Sequence, residues 1–189
     1  MTTVDSNAIA NAALQQIGDN APSVPGQDPS WDNSTAGVAL QKLYSFCVQT
    51  VGRQFGWDFA RNLFTLVATG NTPPVGWSFE YGYPGVVEVW QLVPTTIPDA
   101  NNPIPITWSV GNTLVASVQT KVIWTNQAAA KAYYNNNPTE NVWDPLFREA
   151  VIRLLASELS IALNGRPDTA EGLLNSGGAF ETIGEMRPD

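Results

Sequence analysis

Side chains able to do chemistry are scarce in this chain of 189 residues, and the commonest of them is missing, because there is no histidine. That removes the usual general base, the usual neutral metal ligand and every Ser-His or Cys-His pair. The single cysteine, Cys47, sits among Leu40, Leu43, Tyr44, Val51 and Phe55 at helical spacing. It has no disulfide partner and reads as a small core residue rather than a nucleophile. No GxxxxGK[ST] loop, GxGxxG turn or GxSxG elbow occurs. What remains is a pair of acids, Glu80 and Glu88, in an aromatic-rich stretch where a sugar could stack and two carboxylates could act as acid and base or nucleophile. The plainer reading is two hydrogen-bonded or solvated acids at a sheet edge, and it is preferred. The expectation is a protein that is not an enzyme and uses no cofactor or metal.

Seven tryptophans invite a second chemistry. Trp77, Tyr81, Tyr83, Trp90, Trp108 and Trp124 could form a stacking platform for carbohydrate. In a small sheet, however, alternate side chains face the supporting layer, and large aromatics compensate for a thin core. Packing or subunit contact is therefore preferred. A carbohydrate-binding tail or surface module stands as the alternative function, with glycoside hydrolysis behind it. Asn33-Ser34-Thr35 matches a glycosylation acceptor but reads as a helix N-terminus.

Charge narrows the field further. The formal net charge is -8, and the nine Lys and Arg are scattered, so the basic footprint of a phosphate-binding surface is missing. An acidic surface gives solubility, and would also suit a channel through which DNA must slide without sticking. Residues 1–7 are mostly polar, and no run has the length or apolarity of a signal peptide or membrane span. Synthesis in a cytoplasm is the expectation.

The elements that must position these residues follow from periodicity and punctuation. Asp5 or Ser6 can cap a first helix that carries Ile9, Ala12, Ala13 and Ile17 on one side and stops at Gly18. Residues 19–32 hold Pro22, Pro25, Gly26 and Pro29 and read as an exposed extended loop. A second helix covers about 34–55, with Ala36, Leu40, Leu43, Tyr44, Cys47, Val51 and Phe55 as its apolar stripe. A strand is read at 63–68, and residues 77–124 have the Val, Thr, Trp and Tyr content of short strands. The clearest are 86–93, 106–110, 113–118 and 122–124, with Gly111-Asn112 as a two-residue hairpin turn. Helix returns at 127–134. It resumes after Asp144 as N-cap and Pro145 at the first position, with Leu146, Phe147, Ala150, Leu154, Ser157, Ile161 and Ala162 on one side. Residues 168–171 open a last short helix, which Ser176-Gly177-Gly178 breaks.

These readings give an α+β fold that is mainly helical, a helix bundle with a small antiparallel β-rich insertion. Residues 1–62 supply the N-terminal helices of the bundle, 63–125 the insertion, 126–175 the C-terminal helices and 176–189 a tail. In the C-terminal segment, Leu173, Leu174, Phe180, Ile183 and Met186 are too apolar for a tail that touches nothing, and they are the candidate partner-contact residues.

The order of four segments carries a resemblance. Asn11-Ala12-Ala13-Leu14-Gln15-Gln16-Ile17-Gly18, Trp57-Asp58-Phe59-Ala60, Tyr81-Gly82-Tyr83-Pro84 and Trp143-Asp144-Pro145-Leu146-Phe147-Arg148-Glu149-Ala150, the last running into Leu163-Asn164-Gly165-Arg166, together resemble the head-to-tail adaptor proteins of short-tailed phages, of the tail tubular protein A type. The likeness spans nearly the whole chain. It departs from the family pattern at Gly85-Val86-Val87 and at Ser176-Gly177-Gly178. The resemblance implies a virion structural protein, a homo-oligomeric ring of twelve copies beneath the portal protein and above the tail nozzle protein, with DNA passing through its channel without specific binding.

Overall fold

The computed structural model describes residues 5–18, 23–54, 57–85, 88–96, 104–115, 117–136, 139–164 and 171–172. It divides into two compact units, Met1–Phe55 with Asn137–Asp189, and Gly56–Asn136.

The first unit is built on three helices whose ends are set by short polar side chains. Asp5 caps α1 (Ser6–Gln16) by accepting the Ala8 N–H at 2.9 Å, satisfying one of the donors that a helix start leaves free. Ser34 does the same for α2 (Thr35–Gln54), accepting from the Gly37 N–H at 3.0 Å. At α3 (Pro145–Leu159), Asp144 accepts from the Leu146 N–H at 2.8 Å, and Pro145 occupies the first turn, where its missing N–H is not needed. α3 packs against both α1 and α2. The shared core contains Ile9, Leu14, Leu40, Cys47, Val51, Phe147, Val151, Leu155 and Leu159.

Two readings of this unit need correction. Of the stripe expected along α3, Phe147, Ala150 and Ser157 are buried, but Leu146 and, beyond the helix end, Ile161 are 59% and 52% exposed, and Leu155 is fully buried where Leu154, on the flank, was expected. Apolar residues occur all round this helix, so spacing alone allowed several stripes. The small Ala150, Ala156 and Ser157 mark the face that meets other helices. Residues 23–31 are also no open loop. They form a short hairpin of β1 (Gly26–Gln27) and β2 (Ser30–Trp31), with Val24 and Trp31 buried. Polar residues of α1 hold it down. Asn11 accepts from the Val24 N–H at 2.8 Å, Asn7 donates to the carbonyls of Val24 and Gly26, and Ser6 accepts from the Asp28 N–H at 3.0 Å.

The second unit contains two three-stranded antiparallel sheets. One has the order β3 (Arg61–Thr65), β8 (Ala130–Asn135), β5 (Glu88–Pro94); the other β4 (Phe79–Gly82), β7 (Val118–Thr125), β6 (Trp108–Val115). The sheets join at both sides. Ala68 bridges to Tyr81, with the Gly82 N–H donating to the Val67 carbonyl at 3.0 Å. Leu92 bridges to Ile106 in the same way, with the Ile106 N–H donating to the Leu92 carbonyl at 3.1 Å. The strands thus run round a small barrel. Leu66, Tyr81, Val89, Leu92, Ile123, Ala130 and Ala132 fill it, drawn from both sheets.

The expected mainly helical bundle is therefore wrong. The described residues contain three α-helices against eight strands in three antiparallel sheets, a β-rich fold. The largest error is at 127–134, an alanine-rich run with high helix propensity, which from Ala130 onward belongs to β8, the central strand between β3 and β5. Tertiary packing overrides propensity there, because Ala130 and Ala132 are small enough to lie under the barrel core. The Gly111-Asn112 turn is also corrected. β6 runs through both residues, and its pairing with β7 extends to Val115 and Val118, just before which Ser117 takes φ 67°. Gly111 is required instead by a close approach, since a Cβ there would overlap the indole of Trp124.

Candidate functional site

Among the described residues of the barrel Glu80 is the one buried carboxylate, 4% exposed on β4. Its register partner on β7 is Trp124, so the two side chains share a face of the sheet. The Trp124 Nε1–H donates to Oε2 at 2.9 Å, and Thr69 Oγ1 and Asn71 Nδ2 donate to Oε1 at 2.7 and 2.9 Å. Burial pushes this carboxyl up, but the hydrogen bonds from Trp124, Thr69 and Asn71 outweigh it and hold the group below its ordinary range. Both oxygens are thus engaged by donors of the protein itself. A general acid must carry a proton near neutral pH and a nucleophile must be reachable by its substrate, and Glu80, held ionised and 4% exposed, meets neither requirement.

Glu88 lies elsewhere. It begins β5 in the other sheet, opposite Asn135, and is half-buried. The two acids singled out by spacing are not brought together as a pair. Thr69, Asn71 and Trp124 are what sequence reasoning missed about Glu80. Thr69 and Asn71 are close to it in the chain, but Trp124 reaches it only through the β4–β7 register.

The aromatic residues divide similarly. Tyr81 is buried and donates to the carbonyls of Gln127 and Ala128. Tyr83 accepts from the Val89 N–H at 3.2 Å, and its ring lies 3.7 Å below the Lys121 ammonium. Trp108 packs against the barrel core and Trp124 covers Gly111. Trp77 is half-buried. Trp90, at the irregularity where β5 shifts register against β8, is 36% exposed. The side chains proposed as one platform are spread over both sheets, and most are used in packing.

In the helical unit, Cys47 is fully buried, and burial first, then the charge of Glu158, pushes its thiol up to about 12. It is inert as a nucleophile. A hydrogen bond from Tyr44 to Glu140 at 2.9 Å and the nearby Asp28 form an acidic corner. There burial raises the Asp28 carboxyl, the Ser45 hydrogen bond opposes the rise and the charge of Glu140 adds to it. Among the described residues no cluster of His, Cys, Asp and Glu could hold a metal ion, and no helix is long and apolar enough to cross a membrane.

Leu173, Leu174, Phe180, Ile183 and Met186 lie outside the described residues. Exposed apolar side chains occur elsewhere, at sites the sequence reading did not single out. Leu114 and Val118 are 71% and 64% exposed near the end of the β6–β7 hairpin, and Leu63 and Phe64 are exposed on β3. One signal was readable: in a chain that carries 17 acidic residues, no Asp or Glu occurs between Asp58 and Glu80, around Leu63 and Phe64, or between Asp99 and Glu140, around Leu114 and Val118. No family model matches the sequence, and no curated protein matches it.

Proposed function

We propose that this chain is a virion structural protein, the subunit of a ring-forming head-to-tail adaptor in a short-tailed phage, which docks beneath the portal, supports the tail nozzle and lets DNA pass. The observation that carries the reading is the character of the surface. Glu80, the candidate acid with the most partners, has its carboxylate engaged inside the fold, while the β unit exposes strand edges and apolar side chains suited to contact with other subunits. The four resemblance segments support it by their use as joints. Asn11 pins the β1–β2 hairpin, Trp57-Asp58-Phe59-Ala60 makes the tight turn entering the β unit, Tyr81 sits in the barrel core, and Asp144-Pro145 starts α3.

Charge fits the same role. Only four of the 17 acidic residues fall in Gly56–Asn136, so the helical unit carries most of the negative charge. A ring lined by it would repel rather than trap a polyanion. Negative-stain images of the purified protein, alone and mixed with portal rings, test the proposal. Rings that cap the portal are expected. A chain that stays monomeric and leaves portal rings bare would overturn it, and tight, salt-sensitive binding of duplex DNA would overturn the channel role. Truncation after Glu171 should leave a folded subunit that no longer joins the portal.

A further inference from the structure

We propose that copies of this chain associate head to tail by strand addition, the outer edge of β6 in one copy pairing with the outer edge of β3 in its neighbour. The inference rests on the ring reading in one respect, that the neighbour is a second copy.

The β3 edge is defined by its hydrogen bonds. The Asn136 N–H donates to the Ala60 carbonyl and the Leu66 N–H to the Ala130 carbonyl, each at 3.0 Å. Alternation along an antiparallel pair then makes Asn62 and Phe64 bond β8, and turns the backbone groups of Arg61, Leu63 and Thr65 away from it. Among the described residues no strand meets those groups. β4 joins the chain only beyond them, at Val67 and Thr69. All five residues of β3 are exposed, with Leu63 at 42% and Phe64 at 39%. Natural edges are usually blunted by proline, lysine or a bulge, and β3 has none of these. Its one charge, Arg61, is paired with Asp58 at 3.2 Å.

The β6–β7 hairpin supplies the complementary edge. β4 pairs with β7 only as far as Val122, so residues 112–115 and 118–121 continue as a two-stranded ribbon on the order of 13 Å long. Such a ribbon is marginal in water by itself. This one also exposes Leu114 and Val118, with Val110 39% exposed at its base. The two-residue connection makes Val115 and Val118 the closing pair. The same alternation leaves Val110, Asn112 and Leu114 with their backbone groups directed away from β7. Each edge therefore offers alternate residues over a similar length.

Charge selects the occupant. With a net charge of -8, two copies repel over most of their surface, but no Asp or Glu occurs from 59 to 79 or from 100 to 139, the segments that contain β3 and β6. The two strands that would meet bring no carboxylate of their own to the contact. Because they differ, the contact is heterologous, and repetition gives a closed ring or an open filament according to the rotation between copies.

Two full-length single variants, Leu63→Cys and Asn112→Cys, carried on tags of different length, are mixed at concentrations where wild-type protein assembles and treated with a short bismaleimide. Buried Cys47 stays in place. Strand addition expects a cross-linked heterodimer in the mixture and no cross-linked product in either variant alone. Cross-linking of Leu63→Cys by itself shows two-fold β3 pairing and overturns the proposal, as does the absence of cross-links or of wild-type assembly. Leu63→Lys and Leu114→Lys should each shift sedimentation toward monomer while leaving the circular dichroism unchanged. Rings seen without heterodimer cross-links would sink strand addition and leave the ring reading standing. Cross-linked open filaments would do the reverse.

Discussion

Replacing Glu80 by Gln changes one charge and almost no volume in the best-satisfied polar site of the barrel. The carboxylate, 4% exposed, accepts three hydrogen bonds, two on Oε1 and one on Oε2. Glutamine supplies one acceptor oxygen and an amide that can only donate. With its oxygen toward Thr69 and Asn71, its amide meets the indole N–H of Trp124, donor against donor. One charge-assisted bond is lost and two become neutral. Bonds to charged groups contribute roughly 1.5–3 kcal/mol and neutral ones about 1 kcal/mol, so the gross loss is a few kcal/mol. The neutral amide escapes part of the desolvation cost of a buried charge, which leaves an expected net loss of about 2 kcal/mol. Urea unfolding of the full chain followed by tryptophan fluorescence reads it, with the transition of the β unit resolved from that of the helical unit. The wild-type carboxyl is held below its ordinary value of 4.5, so its stabilisation is complete above that pH and is lost as pH falls through the lower folded value. The gap between wild type and Glu80→Gln should therefore close in acid. A loss under about 0.5 kcal/mol at neutral pH would refute the account, because surface substitutions routinely do no more. A gap that persists unchanged in strong acid would refute it too, by showing that charge is not what Glu80 supplies.

Three further outcomes follow from packing. Gly111→Ala should cost about 1–3 kcal/mol and alter tryptophan emission, because a Cβ there overlaps the Trp124 ring; an unchanged spectrum and stability would place the indole elsewhere. Leu155→Ala, at a fully buried site, should lose roughly 2–5 kcal/mol in thermal or urea unfolding, and Leu154→Ala distinctly less; equal losses would contradict the orientation of α3. Cys47, buried and with its thiol pushed up to about 12, should resist an aromatic disulfide reagent in native protein and react fully in denaturant, and rapid native labelling would show that the α2–α3 core opens readily.

Helix ends were readable because caps are local. Asp5, Ser34 and Asp144 each act within three residues of themselves, and each sits where its spacing placed it. The β unit was harder because its decisive contacts are long-range. The run 127–134 has the composition of a helix, and only the pairing of β8 with β3 and β5 on its two sides makes it a strand. Gly111-Asn112 has the chemistry of a turn, but the indole of Trp124 already claims the space above Gly111. Glu80 was picked out as an acid among aromatics, which is where it lies. Its role was not legible, because one of its three partners is Trp124, 44 residues away.

The distribution of charge connects the barrel to assembly. Four acids fall in Gly56–Asn136, and the fold engages two of them: Asp58 pairs with Arg61, and Glu80 is buried under hydrogen bonds. Asp99 lies outside the described residues, so Glu88 is the remaining described acid of the unit. A net charge of -8 opposes random association of copies, and the same repulsion would oppose specific assembly wherever carboxylates faced one another. The absence of acids from β3 and β6 would lower that barrier at the proposed contact while leaving it elsewhere. If copies associate as proposed, the spacing of charge would restrict where they touch, and the exposed backbone edges of the strands would supply the bonds.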